Sequence, residues 1–284
     1  MKIPDNTKIQ SVDIRVNDLG RTLDFYNEFI GLKVIETAGN SVFLSATGES
    51  PYILGLHGGK DAVKEPRGTT GLFHTAIRLP SRKELARVFL RLFERKVKFQ
   101  GFSDHIVSEA IYLADPEGNG VELYADRPRE EWRYRMGQVE MDTLPLNLNT
   151  ITDELDDRDV WYGIHEDTDI GHIHLKVSDL HQAQEMYSMT LGFNITNSTY
   201  PGALFFGAGG YHHHIGANTW SSKNGRSAAD NSAGLKGFTI KMPDKKYLET
   251  VKTRAEEAGV KIIPGTKNGF TLIDFDKNKI KLIL

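Results

Sequence analysis

The chain has 284 residues with 35 basic against 38 acidic, a net charge of −3, and no lysine/arginine block, so a nucleic-acid backbone is not an expected partner. It contains no cysteine, which excludes disulfides, thiolate metal sites and a cysteine nucleophile, and leaves His, Asp and Glu as the residues able to hold a metal. No run approaches the roughly 18 apolar residues of a membrane span, and the opening MKIPD begins no apolar core of signal-peptide length; a cytoplasmic setting, no membrane and a small-molecule partner are expected.

Residues 8–58 alternate apolar and polar through Val12, Ile14 and Val16, then meet Asp18, suited to capping a helix that carries Leu23, Phe25, Tyr26 and Phe29 and stops at Gly31. Three short strands are predicted next, over 32–36, 41–46 and 52–57, which makes the unit β-α-β-β-β. A second unit follows: a strand over 73–79, Pro80 and Ser81 at the helix start, an amphipathic helix through Leu85, Val88, Phe89, Leu92 and Phe93, and strands at 97–99, 110–114 and 120–125. The DPEGNG run at 115–120 is a tight turn. A charged connection over 126–168 contains Trp132, Tyr134, Trp161 and Tyr162, and a connection of that length is usually structured or functional.

Beyond it the pattern returns. GHIHLKVSDL at 171–180 aligns without a gap to QSVDIRVNDL at 10–19, with Ile9/Ile170, Val16/Val177, Asp18/Asp179, Leu19/Leu180, Tyr26/Tyr187 and Gly31/Gly192 identical. GLFHTAIRLP at 71–80 matches GLKGFTIKMP at 234–243 in the same way. Four related modules are therefore expected, starting near 8, 71, 169 and 234, each unable to bury its apolar face alone. The expected fold class is α+β: four βαβββ modules forming two barrels of mixed sheet, with a first domain over 1–125, a connecting segment over 126–168 and a second domain over 169–284.

At the first-strand position the four modules carry Ser11, His74, His172 and Gly237; at the last-strand position modules two and four carry Glu122 and Lys281, and Tyr112 is matched by Thr271. Modules two and three are polar where one and four are blank. Two His and one carboxylate on neighbouring strands leave three positions of a metal open, the usual arrangement of non-haem Fe(II) oxygenases. A lone strand His is more often a hydrogen-bonded interior residue, but retention at equivalent repeat positions favours ligands. In the run His212-His213-His214 the side chains of a strand alternate faces, so all three cannot bind one metal; the run also fits an exposed polar turn or a fortuitous transition-metal binder, while a place in the closing strand of module three argues for one or two facing inward. His174 is read as lying on the face opposite His172, structural or solvent-facing, and His57 and His165 are given no role. Asn218 and Trp220 are candidates for a substrate mouth.

These residues resemble the vicinal oxygen chelate superfamily, and within it the two-domain extradiol ring-cleaving dioxygenases of the catechol 2,3-dioxygenase type (EC 1.13.11). The resemblance covers essentially the whole chain and is most specific at HTAI (74–77), HIHL (172–175), YLADPEGNGVEL (112–123) and HHIG (213–216). It implies glyoxalase-like barrels, Fe(II) with Mn(II) as the alternative, iron ligands at His74, Glu122 and His172, an acid–base His213, and Tyr112 and His105 as further site residues. It also implies a catechol-type small aromatic diol and O2 as substrates; exposed sheet edges would suit a homo-oligomer. One departure matters: the family places the whole set in modules three and four, but here module four offers Gly237, Thr271 and Lys281. The set is complete only if modules two and three share a barrel, leaving one and four to form the other, or if the site is assembled across subunits. Two competing readings remain: a glyoxalase-like metal isomerase, which would want two Glu where one matches and Glu49 lies near a turn, and a non-catalytic small-molecule binding protein without a metal.

Overall fold

The structure, a computed structural model, describes every residue except Met1, Lys2, Lys60, Asp157, Arg158 and Lys267. Met1 and Lys2 of the amino-terminal stretch, and Asp157 and Arg158 of the connection, therefore lie outside the described residues. Module one runs β1 (Lys8–Val16), α1 (Leu19–Asp24), β2 (Lys33–Ala38), β3 (Ser41–Ser45) and β4 (Leu54–Gly58). Module two runs β5 (Gly71–Leu79), α2 (Arg82–Glu94), β6 (Phe99–Asp104), β7 (Ser108–Ala114) and β8 (Gly120–Asp126). The connection forms β9 (Tyr134–Arg135), β10 (Gln138–Val139), β11 (Leu144–Pro145) and α3 (Leu148–Thr152). Module three runs β12 (Asp169–Lys176), α4 (Leu180–Ala183), β13 (Asn194–Asn197), β14 (Ala203–Gly207) and β15 (Ile215–Asn218). Module four runs β16 (Gly234–Lys241), α5 (Lys245–Glu257), β17 (Lys261–Pro264), β18 (Gly269–Ile273) and β19 (Lys279–Ile283).

Each module helix begins where a side-chain oxygen can take an otherwise orphaned N–H: Asp18 accepts from Arg21 N, Ser81 from Glu84 N, Asp179 from Gln182 N and Asp244 from Lys246 N. Helix α2 then turns Leu85, Val88, Phe89 and Leu92 inward, each worth about 1.5–3 kcal/mol when fully buried. Helices α1 and α4 widen into π-turns over Phe25–Phe29 and Gln184–Thr190, a departure from the uniform helices expected. Gly31 and Gly192 end both in left-handed backbone, at φ 94° and 87°.

Two sheets result. One has the order β17-β18-β19-β16-β1-β4-β3-β2, the other β11-β6-β7-β8-β5-β12-β15-β14-β13. At the centre of the first, β1 runs antiparallel to β16; at the centre of the second, β5 runs antiparallel to β12. The sheets therefore join module one to four and module two to three, and neither coincides with the halves 1–125 and 169–284. The pairing of modules two and three inside one chain is one of the two arrangements that the distribution of polar residues left open, the other being a site assembled across subunits.

Consecutive modules are held differently. Tyr26 OH donates to the Asp115 carboxylate in the turn of module two, and its repeat partner Tyr187 donates to Asp274 in module four. Glu117 accepts from Asn17 N and Asp18 N, while Asp276 accepts from Ser178 N. A single apolar core runs through all four modules, from Ile14 and Leu54 to Leu113, Ile173 and Leu282. Within the connection, β11 adds antiparallel to the edge of β6, through Leu144 opposite Asp104 and Pro145 opposite Ser103. Among the described residues no helix is long and apolar enough to cross a membrane.

Candidate metal centre

Strand register assembles the site. Across β5 and β12, His74 pairs with His174 and Ala76 with His172; β8 sets Glu122 beside Ala76, and β7 sets Tyr112 beside Glu122. Residues opposite one another, or two apart along a strand, share a face. His74, Tyr112, Glu122, His172 and His174 therefore project together, and the small Ala76 among them leaves room for the longer side chains to converge.

His74 Nε2 lies 2.9 Å and His172 Nε2 3.2 Å from Glu122 Oε2, and the two ring nitrogens are 3.4 Å apart. All three residues are buried, and among the described residues they form the group whose ligand atoms lie within 4.8 Å of one another. The set fits a small divalent ion: adjacent ligands at about 2.1 Å from an octahedral centre sit about 3 Å from each other, and imidazole with carboxylate suits Fe(II) or Mn(II). Electrostatics favour the deprotonated forms a metal needs. Burial alone would raise the Glu122 carboxyl, but the charges and hydrogen bonds of His172 and His74 hold it well below the carboxylate range. Burial outweighs the pull of Glu122 on His172 and lowers that imidazole to about 4. His172 Nδ1 is buried without a partner.

The cluster opens into a cavity of about 410 Å³ whose far side is aromatic. Phe73 packs edge-on against Trp220 and His174, with ring centroids 5.3 and 5.1 Å apart, and Tyr200 leans on Phe205 at 5.9 Å. Met141 and Thr143 of the connection complete the lining, and among the described residues no lysine or arginine lines it. His105 and Tyr112 lie on the same wall. The Asp142 carbonyl can only accept, so His105 Nδ1–H donates to it at 2.7 Å, and His105 Nε2 accepts a hydrogen bond from the Tyr112 hydroxyl at 2.6 Å. Burial, then the nearby Glu122 charge, pushes the Tyr112 phenol well above its usual range.

Three expectations need correction. His174 does not face away from His172: residues two apart on a strand point the same way, and His174 is buried on the cavity wall with Nε2 unpartnered. The run 212–214 is not strand, since β15 starts at Ile215. In that turn His213 reaches the cavity, His212 Nε2 meets Asp126 at 2.9 Å, and His214 Nδ1 accepts from Ala208 N at 3.2 Å. Asn218 is fully buried off the cavity, its Oδ1 accepting from Trp220 N, whereas Trp220 does line it. Sequence reasoning did not single out Phe73, Tyr200, Phe205 or Met141; Phe73 alone carried a signal, as the neighbour of His74. In the other sheet the equivalent region holds Asp13, His57 and Ser41 joined by bonds of 2.7 and 2.9 Å.

Four βαβββ modules, paired into mixed sheets around a buried His-Glu-His cluster that faces an aromatic cavity, define a vicinal-oxygen-chelate protein with a candidate metal centre. The profile of the Glyoxalase/Bleomycin resistance protein/Dioxygenase superfamily matches residues 8–123, and the chain is 40% identical over 275 residues to Catechol-2,3-dioxygenase of Bacillus subtilis (strain 168), covering 96% of this chain and 95% of that relative. The chain belongs to this superfamily. Biphenyl-2,3-diol 1,2-dioxygenase 3 of Rhodococcus globerulus is 28% identical over 144 residues, 49% of this chain and 75% of the relative. Glyoxalase I from Zea mays shares the fold at a TM-score of 0.59 and 17% identity, over 98% of this chain and 92% of that one.

Proposed function

We propose that the protein is an extradiol dioxygenase that opens a catechol-type ring beside its two hydroxyls with O2, at a non-haem Fe(II) held by His74, Glu122 and His172. Mn(II) suits the same donors. The observation that carries this reading is the convergence of those three buried side chains within 4.8 Å of one another at the base of an aromatic cavity. The 40% identity to a catechol-2,3-dioxygenase supports the reaction class. Fe(II) bound there supplies Lewis acidity that lowers the pKa of the diol, together with a redox couple for the reaction with O2.

The chain's own residues do the rest. Phe73, Phe205 and Trp220 form the apolar walls that hold the ring and exclude water. With no lysine or arginine on the lining among the described residues, the cavity suits an uncharged diol over a carboxylated one. Burial keeps the His213 imidazole well below its usual pKa and hence neutral, ready to take a proton from a substrate hydroxyl and return it later. Tyr112, its proton committed to His105, presents its oxygen towards the bound diol. A glyoxalase-like isomerase is disfavoured because the cluster offers a single carboxylate.

The test is anaerobic purification, metal quantification, and addition of catechol in air while watching for a yellow ring-opened product. Expected are about one iron per chain and colour that His172→Ala and Glu122→Ala both abolish, a loss beyond the roughly 10–100-fold caused by changing residues behind a ligand. A protein that binds no metal under reducing conditions is a binding protein, and the proposal fails.

A further inference from the structure

His212 is 1% exposed and is not itself part of the cavity lining, yet both its ring nitrogens are engaged. Nε2 lies 2.9 Å from Asp126 Oδ1, and Nδ1 lies 2.7 Å from His213 Nδ1. The ring is caged by Tyr211 at 4.1 Å and Trp132 at 5.3 Å. Asp126 is fixed in turn: its Oδ2 accepts from Tyr211 OH at 2.9 Å and from Arg78 at 3.3 Å, and Tyr211 is also bonded to Tyr124 OH at 2.7 Å. On the other side, His213 lines the cavity with its ring centroid 4.1 Å from that of His172.

We infer that Asp126 and His212 are positioning residues that fix the orientation and tautomer of His213, leaving its Nε2 without a proton on the cavity side. The argument counts protons. An ionised carboxylate only accepts, so His212 Nε2 carries a hydrogen. Two ring nitrogens 2.7 Å apart share one proton between them. Assigning His212 a single hydrogen, on the Nε2 that faces Asp126, leaves the shared proton to His213 Nδ1 and His213 Nε2 bare. A bare nitrogen can accept a proton from a substrate hydroxyl but cannot donate one first, so acceptance comes before donation in any turnover that uses His213. A histidine whose partner fixes one nitrogen is committed at the other.

The inference rests on the acid–base role proposed for His213, and its test separates the two. In Zn(II)-loaded protein labelled with 15N-histidine, long-range proton–nitrogen spectra report which nitrogen of each ring is protonated, with no turnover. Expected for the wild type is His213 protonated at Nδ1 with Nε2 bare. Asp126→Asn offers an amide donor to His212 Nε2, so His213 should lose that preference. In the iron-loaded enzyme kcat should fall about 100-fold while KM changes little, and Asp126→Glu should restore part of it. Should Asp126→Asn not fold, His212→Phe fills the same aromatic cage without nitrogens, and the wild-type spectrum needs no variant. A wild-type His213 protonated at Nε2, or a tautomer indifferent to both substitutions, overturns the inference. Absence of ring cleavage by wild-type enzyme with the expected tautomer present would instead strike the proposed function and leave the positioning intact.

Discussion

Substituting His214 by Phe should flatten the pH dependence of stability. His214 is buried against Phe193 and Tyr211, and burial above all lowers its imidazole to about 3. An unfolded chain holds histidine near 6.5. Below that pH the unfolded state binds the proton and the folded state refuses it, so stability present above about 6.5 is lost progressively as pH falls towards 3. At pH 5 the unfolded imidazole is favoured by a factor of about 33, or about 2 kcal/mol, against about 0.2 kcal/mol at pH 7. The result hardly depends on the folded value so long as it lies below about 4. His214→Phe also strands the Ala208 N–H that His214 Nδ1 accepts, at a cost of about 1–3 kcal/mol, but that cost is the same at both pH values and cancels. Urea unfolding followed by tryptophan fluorescence at pH 7 and pH 5 should therefore show wild type losing about 2 kcal/mol more than the variant on acidification. Equal losses in the two proteins would refute a buried, neutral His214.

Tyr187→Phe removes a 2.7 Å bond to the buried Asp274 and should cost about 1.5–3 kcal/mol in urea unfolding, whereas Tyr26→Phe, at 3.3 Å from Asp115, should cost less. Gly216→Ala places a methyl 2.9 Å from the His174 ring, so a loss of about 1–3 kcal/mol and a changed cavity wall are expected, checked by melting and by substrate KM. Metal at about 100 times its Kd should stabilise the wild type by about 2.7 kcal/mol in thermal melts, and chelation or Glu122→Gln should remove that increment.

The repeat made the module plan legible. Gapless alignment placed four strand-helix starts, and Asp18, Ser81 and Asp179 cap helices as their positions suggested. The union of modules two and three was one of two arrangements open, beside a site shared between subunits, because the ligand types survive only in those modules. What escaped was set by tertiary placement. The π-turns in modules one and three leave no mark in apolar spacing, and the histidine run looks like strand although it forms the turn before one. His174 shares the face of His172, as residues two apart on a strand do, in a strand whose pairing with β5 shifts register on either side of residues 172–174. Tyr200, Phe205 and Met141 reach the cavity because the β13–β14 hairpin and the connection fold back over it, a docking that no local pattern encodes.

The two kinds of contact between modules explain how a site can be split across the halves of one chain. Modules adjacent in sequence are tied by helix-to-turn bonds, Tyr26 to Asp115 and Tyr187 to Asp274, while modules distant in sequence share sheets through β1–β16 and β5–β12. Each module therefore has one sequence neighbour and one sheet partner, and further contacts of β1 with β12 and of β5 with β16 gather all four on a common core. In such an arrangement the polar module of each half can meet the other half's polar module, with the 126–168 connection joining the two halves. His74 and Glu122 come from one half and His172 from the other, so the candidate metal centre is complete only when both halves dock. Metal bound there would bridge the β5–β12 seam, and its binding energy would oppose separation of the halves as well as unfolding of either.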